Sequence, residues 1–492
     1  MSQAPLYTET LQRFENQAIV TVAAGATCAY LGDERSLREF LVADETARHL
    51  RAAGHTVFSL LIDDSLDPLN ARQLRVAVNK DEKLQEQFQG WCGKPIGRLP
   101  DPWGCHASYA AHFEAKLLDR LHDFGCHPTL ISTADLYRRG VYAPYVREVL
   151  ERHDEVTGFL AQRFPGYTPD RLFWVICPCC GYMDATRMER VACWGVQAYC
   201  GRCEKSHGIA FGDLEGKLNW KLDCALRWTL FKIDAEPFSK AYLEPKAGTF
   251  AVARALSERF FGGAYVQPLP YGLVKMERHL SGRVLESLPA PALRNLFTEH
   301  PATDLHLTAD LVMTTASRHE VSAGTSYLDA VKQLLPVWLL TPDALTKGQR
   351  DLVAHGTAFS RHFLDSEPAL RLPAREHIAG EVPVVLEGLR CLLRQIITLR
   401  QTTGSCWESY QAPAKRLLDD VAPHKKAVLH CFRSITGQQQ GLPVTRALFL
   451  LPLTYLQLVE HLLDLHLSVA VHNTVHPKSS YEPETLPLPL AA

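Results

Sequence analysis

Four cysteines carry the clearest chemistry in this sequence. Cys177 and Cys180 (CPCCG) are followed, after nineteen intervening residues, by Cys200 and Cys203 (CGRC). Two Cys-x-x-Cys knuckles at that spacing can bring four thiolates into a tetrahedron around one zinc ion, stapling a small ribbon that has too little core to hold itself together. Asp63, Asp64 and Asp67, in DDSLDPL, are a weaker signal. They could hold magnesium, but a turn whose acids cap backbone amides at a strand end is the simpler expectation. His106 and His112 fall where a loop enters a helix and read as structural, and nothing in the sequence supports a role as a spare thiol for Cys179, between the zinc ligands.

The elements that must position these residues follow from apolar patterning. Residues 18–24 (AIVTVAA) and 56–62 (TVFSLLI) read as buried strands flanking an amphipathic helix over 35–53, the opening of a doubly wound parallel sheet. A proline- and glycine-rich loop over 91–113 leads into a helix, and 129–155 repeats strand then helix. The cysteine ribbon, 172–212, sits inside this α/β chain. A helix is expected from about Gly216, another over 249–261, and a strand-like run over 265–276. From about residue 325 the pattern turns to helix period, as in SYLDAVKQLLPVWLL and GEVPVVLEGLRCLLRQIITLR, so the C-terminal third reads as all-α. The proline-rich end, 476–492, reads as a disordered tail.

Composition sets outer bounds. With 492 residues, 46% of them apolar and 22% charged, the chain can build two to four domains. A net charge of −2 supplies no global field for nucleic acid or an anionic membrane, so any RNA contact has to be a local basic patch. Fourteen cysteines without a signal peptide point to a reducing cytoplasm. The ten outside the knuckles read as small buried hydrophobes. Apolar runs such as ALFLLPLTYLQLV are short and broken by proline, so no membrane partner is expected, and no DNA partner either.

Several longer motifs occur in a telling order: LREFLVADETARHLRAAGH (37–55), DDSLDPL (63–69), PDPWGCHASYAAHF (100–113), the two knuckles, GKLNWKLDCALRWTLFKIDAEPFSK (216–240) and QPLPYG (267–272). In these the chain resembles the class I lysyl-tRNA synthetases over nearly its whole length, more faintly in the helical C-terminal part. The resemblance implies a class I synthetase Rossmann-type parallel sheet with an inserted zinc ribbon and an all-α C-terminal domain. Its implied divisions are a Rossmann first half over 1–95, a connective insertion over 96–215, a Rossmann second half over 216–320, and a helical anticodon-binding-like domain over 321–475.

The resemblance also implies a site. Gly25, Thr27, Glu39, Trp220 and Tyr271 match the residues that surround the lysine substrate in the family; a carboxylate suits an ammonium, and aromatic faces suit the cation and its methylene stem. The nucleotide side departs from the pattern. Gapless spacing from Thr27 to Arg38-Glu39 puts Asp33-Glu34-Arg35-Ser36 on the family's His-x-Gly-His motif, so an acid replaces the histidine that steadies the triphosphate and an arginine replaces the glycine beneath adenine. The other registration, Tyr30-Leu31-Gly32-Asp33, keeps a glycine and still has no histidine. No KMSKS run follows Tyr271; Lys275, Arg278, His279 and Arg283 remain as nearby cations. The family's Gly-Lys-Asp-His is here Ser239-Lys240-Ala241-Tyr242.

Three functions are compatible with these residues. The first is a family member that binds lysine or a lysine-derived amino acid and couples it in specialised metabolism, with altered or absent ATP-dependent adenylation. Catalytic candidates would be Lys240, Tyr242 and Asp33. The second is a lysine–tRNA ligase in which Lys240, Arg35 and the basic 275–283 loop hold ATP, with magnesium accompanying the nucleotide. The third is a non-catalytic regulator that binds lysine or tRNA.

Overall fold

The computed structural model describes residues 4–263, 265–322, 324–340, 345–363, 378, 381–404, 407–421, 424–436, 444–451 and 453–475. Its centre is a five-stranded parallel sheet. The first strands are β1 (Ile19–Ala26) and β2 (Thr56–Asp63), joined by helix α1 (Glu34–Ala52); helix α2 (Tyr109–Asp123) precedes β3 (Thr129–Ser132). β1 is covered on both faces, as a parallel strand requires. Val20, Val22 and Ala24 pack with Val42, Ala47 and Leu50 of α1, while Ala23 joins Ile62, Leu222 and Trp228 in the core on the opposite face.

The ribbon follows. β4 (Phe173–Val175) leads to the antiparallel β5 (Thr186–Ala192), β6 (Gly195–Cys200) and β7 (Lys205–Ala210), and β8 (Gly216–Leu218) returns to pair antiparallel with β4. Helix α3 (Trp220–Leu230), β9 (Ala235–Ser239), helix α4 (Thr249–Phe260) and β10 (Gln267–Tyr271) complete the sheet in the order β10-β9-β1-β2-β3. β1 is thus flanked by strands whose connections leave in opposite directions. A doubly wound sheet binds ligands at such a switch point, outside the carboxyl ends of its strands.

Two expectations are corrected. The helix placed near Gly216 begins at Trp220, because Gly216–Leu218 is a fully buried strand and Asn219 caps the helix by accepting from the Lys221 amide at 3.1 Å. A side chain at Gly216 would run into the Trp174 carbonyl oxygen, 2.1 Å from its Cβ, so this residue serves close strand packing. The stretch 96–215 is also more than an insertion, since β3 within it is an edge strand of the central sheet.

The chain divides into two compact units, Met1–Leu285 with Ala290–Thr308, and Glu286–Pro289 with Ala309–Ala492. The second unit is mainly helical among the described residues. Its core joins Leu389, Leu393 and Ile396 from helix α5 (Pro383–Thr403), Phe432 from α6 (Lys425–Thr436), and Leu456 and Val459 from α7 (Leu453–Val475). The tail 476–492 lies outside the described residues. No helix among them is long and apolar enough to cross a membrane.

Candidate functional site

A cavity of about 590 Å³ opens at the carboxyl ends of β1, β9 and β10, and all five residues expected around a lysine line it. Gly25 and Thr27 come from the end of β1, Glu39 from α1, Trp220 from the first turn of α3 and Tyr271 from the end of β10. The Tyr271 hydroxyl donates to Glu39 Oε2 at 2.6 Å. Burial pushes the Glu39 carboxyl up to about 7, partly opposed by that hydrogen bond. Trp220 is 40% exposed rather than a core aromatic, and meets Tyr242 edge to face at 5.5 Å. Acid and aromatic faces share one cavity, an arrangement suited to an ammonium on an apolar stem.

The remaining wall is a buried charge network. Lys217 Nζ bonds Asp67 and lies 3.8 Å from Asp64; Arg227 reaches Asp64 at 3.6 Å and Glu236 at 3.8 Å. Thr27 Oγ1 donates to Asp67 at 2.7 Å and Trp228 Nε1 to Glu236 at 2.5 Å. Among the described residues, Arg227 Nε and Nη1 have no hydrogen-bond partner, and Nη1 is the atom that faces Asp64. A Cβ on Gly25, next to the end of β1, would stand 3.3 Å from Arg227 Nη2, so the guanidinium packs close against the backbone here. The expectation for DDSLDPL therefore holds for Asp63 alone, whose carboxylate accepts from the Cys28 amide at 2.8 Å. Asp64 and Asp67 face the cavity as partners of its cations.

The residues of the nucleotide side are dispersed. Arg35 folds onto Asp33, with Nη2 2.6 Å from Oδ2, and stays largely exposed. Lys240 and Lys275 converge on Asp304, at 3.6 and 3.3 Å. Arg278, His279 and Arg283 are exposed, and His279 lies 3.6 Å from Glu277. Arg38, which served only as a spacing mark, is a buried anchor: its guanidinium donates to the carbonyls of Phe297, Gly272, Thr303 and His300.

The knuckles meet as their spacing requires. Cys177 and Cys180 lie in the turn after β4, Cys200 ends β6, and Cys203 occupies the turn into β7. Cys177 and Cys203 Sγ are 3.7 Å apart, and Cys180 and Cys200 Sγ 3.6 Å. Zinc–sulfur bonds of about 2.3 Å in a tetrahedron give edges of about 3.8 Å. The donor set fits zinc.

A second group fits as well. Asp101, Cys105, His106 and His112 offer four ligand atoms within 4.8 Å of one another. Cys105 Sγ is 3.0 Å from His106 Nδ1, 3.2 Å from His112 Nδ1 and 3.2 Å from Asp101 Oδ2. Three backbone amides, of Trp103, Cys105 and His106, fix the Asp101 carboxylate and, against the effect of burial, hold it well below the usual carboxylate range. Trp103 stacks on His112 at 4.2 Å. Sequence reasoning missed this group by treating Cys105 as a buried hydrophobe; Cys105 is exposed, as are Cys179, Cys193 and Cys391. An adjacent Cys-His with an acid four residues before and a histidine six after was the available signal.

A Rossmann-type sheet with its cavity at the switch point and a four-cysteine ribbon between its halves defines a class I synthetase architecture. The family model for "tRNA synthetases class I (K)" matches residues 6–286. The chain belongs to that family. It is 28% identical over 278 residues to a lysine–tRNA ligase of Archaeoglobus fulgidus, covering 56% of this chain and 52% of that protein. It is 29% identical over 284 residues to a lysine–tRNA ligase of Methanopyrus kandleri, covering 52% and 49%. The chain thus spans about half the length of these curated relatives.

Proposed function

We propose that the cavity binds lysine or a lysine-derived amino acid, and that the protein couples this amino acid in specialised metabolism with altered or absent ATP-dependent adenylation. The observation that carries the reading is the Glu39–Tyr271 pair sharing one cavity with Trp220. Glu39 takes the side-chain ammonium, Trp220 covers the stem, and the Arg227 guanidinium, ion-paired with Asp64 and Glu236, steadies the wall beside Gly25. Zinc at Cys177, Cys180, Cys200 and Cys203 is a structural staple in this reading, and a second ion at Asp101, Cys105, His106 and His112 braces the loop ahead of α2.

The test is lysine-dependent thermal stabilisation with a Glu39→Gln control. Lysine raises the midpoint of the wild type by binding the folded state preferentially, and does not raise that of the variant. An equal shift in both removes Glu39 from the pocket.

A second reading, ATP-dependent lysine–tRNA ligation, is favoured by the two ammonium groups of Lys240 and Lys275 gathered at Asp304, which could release them to a polyphosphate. Lysine-dependent exchange of pyrophosphate into ATP separates the two: background exchange supports the first, robust exchange the second. tRNA as a partner belongs to this second reading and is tested by binding lysine tRNA across a salt series.

A further inference from the structure

The N-terminus of the helix after the first strand is the phosphate-receiving end of a Rossmann-type sheet, because its unpaired amides and dipole favour an anion. Here the chain supplies the anions itself. Asp33 caps α1, accepting from the Arg35 amide at 3.1 Å, and its Oδ2 also accepts from Ser281 Oγ at 3.1 Å. Glu34, the first helical residue, is fully buried. Its Oε2 accepts from the Gly282 amide and its Oε1 from the amides of Val284 and Leu285, each at 3.1 Å.

Two further features make this a built contact rather than a surface encounter. Gly282 has φ of +83°, the left-handed conformation that aims its amide at Glu34 and that glycine adopts at least cost. Leu280 and Val284, on either side, are buried, so the apolar side chains of the segment are seated as well. Arg35 is already paired with Asp33, its Nη2 2.6 Å from Oδ2, and Arg120, a second cation on this side, donates to the Gly32 carbonyl at 2.6 Å. A polyphosphate approaching the start of α1 would meet the Glu34 carboxylate and an Asp33 already paired with Arg35, and would find the amides of Gly282, Val284 and Leu285 taken.

We infer that Glu34 is a latch: its carboxylate holds residues 281–285 shut against the start of α1 and keeps polyphosphate out of the nucleotide side of the site. This deepens the proposed function and rests on it for which side of the cavity is the nucleotide side. The latch needs both the charge and the length of glutamate. Glu34→Gln retains one acceptor oxygen but presents an NH₂ group to backbone donors, and Glu34→Ala removes the contact altogether.

The experiment combines hydrogen exchange at the amides of Gly282, Val284 and Leu285 with equilibrium dialysis against magnesium ATP, on the full chain and on both variants, with lysine binding measured in parallel. In the wild type these amides are expected to be protected and ATP binding absent at millimolar concentration. In Glu34→Ala the amides exchange at least tenfold faster and ATP binding appears, with Glu34→Gln intermediate. Unchanged exchange in both variants overturns the latch, as does micromolar ATP binding by the wild type with the amides still protected. Faster exchange without any gain in ATP binding overturns the exclusion of polyphosphate. Failure of lysine to bind any of the three proteins counts against the amino-acid pocket and leaves the latch standing on its exchange and ATP results.

Discussion

At the scale of single residues, Glu39 sets the behaviour of the cavity. Its folded-state value of about 7 exceeds its ordinary 4.5, so the free protein holds a proton there that the unfolded chain has released. Sign follows from linkage: this group's contribution to stability is lost as pH rises from about 4.5 through about 7. A lysine ammonium prefers the ionised carboxylate, so lysine affinity is expected to rise by up to about tenfold per pH unit below pH 7 and to level off above it. Calorimetric titration between pH 5.5 and 8.5 checks this; a flat profile would mean that Glu39 is not the ammonium's partner. Tyr271→Phe removes a hydrogen bond to the carboxylate, so the same profile should shift to higher pH.

At the scale of elements, α1 and the ribbon each depend on contacts that local patterning does not encode. The buried Arg38 ties α1 to four carbonyls around 272–303, and Arg38→Met leaves them unpaired at a cost of about 3 kcal/mol or more. Urea unfolding of the first unit would measure it, and a loss below about 0.5 kcal/mol would show that water replaces the guanidinium. Metal analysis should return two zinc ions per chain. Cys177→Ser and Cys105→Ser should each lower the count by one, whereas one ion in the wild type would leave the Asp101 group without metal. β1, β2 and α1 were legible because a buried strand and an amphipathic helix repeat their apolar residues locally. β8 was not: three residues give no period, and the strand exists because β4 lies beside it.

At the scale of the whole molecule, the family was readable because its motifs are long and keep their order. The five residues expected around lysine come together although Glu39 and Tyr271 stand 232 positions apart, since the sheet order delivers β1, β9 and β10 to one edge. The acid pair at 33–34 was legible as a departure from the nucleotide motif. Its partners were not, because the amides that Glu34 holds lie 248 to 251 positions away, in a turn and the first residues of a short helix, Arg283–Ser287, that carry no motif. The central claim is that an amino-acid pocket persists beside a nucleotide side that has been rewritten. Thermal unfolding of the wild type with L-lysine alone and with magnesium ATP alone tests it most directly. At a hundredfold excess over its Kd, lysine should stabilise the fold by about 2.7 kcal/mol and ATP should leave the midpoint unchanged. Stabilisation by ATP, or none by lysine, would contradict the account.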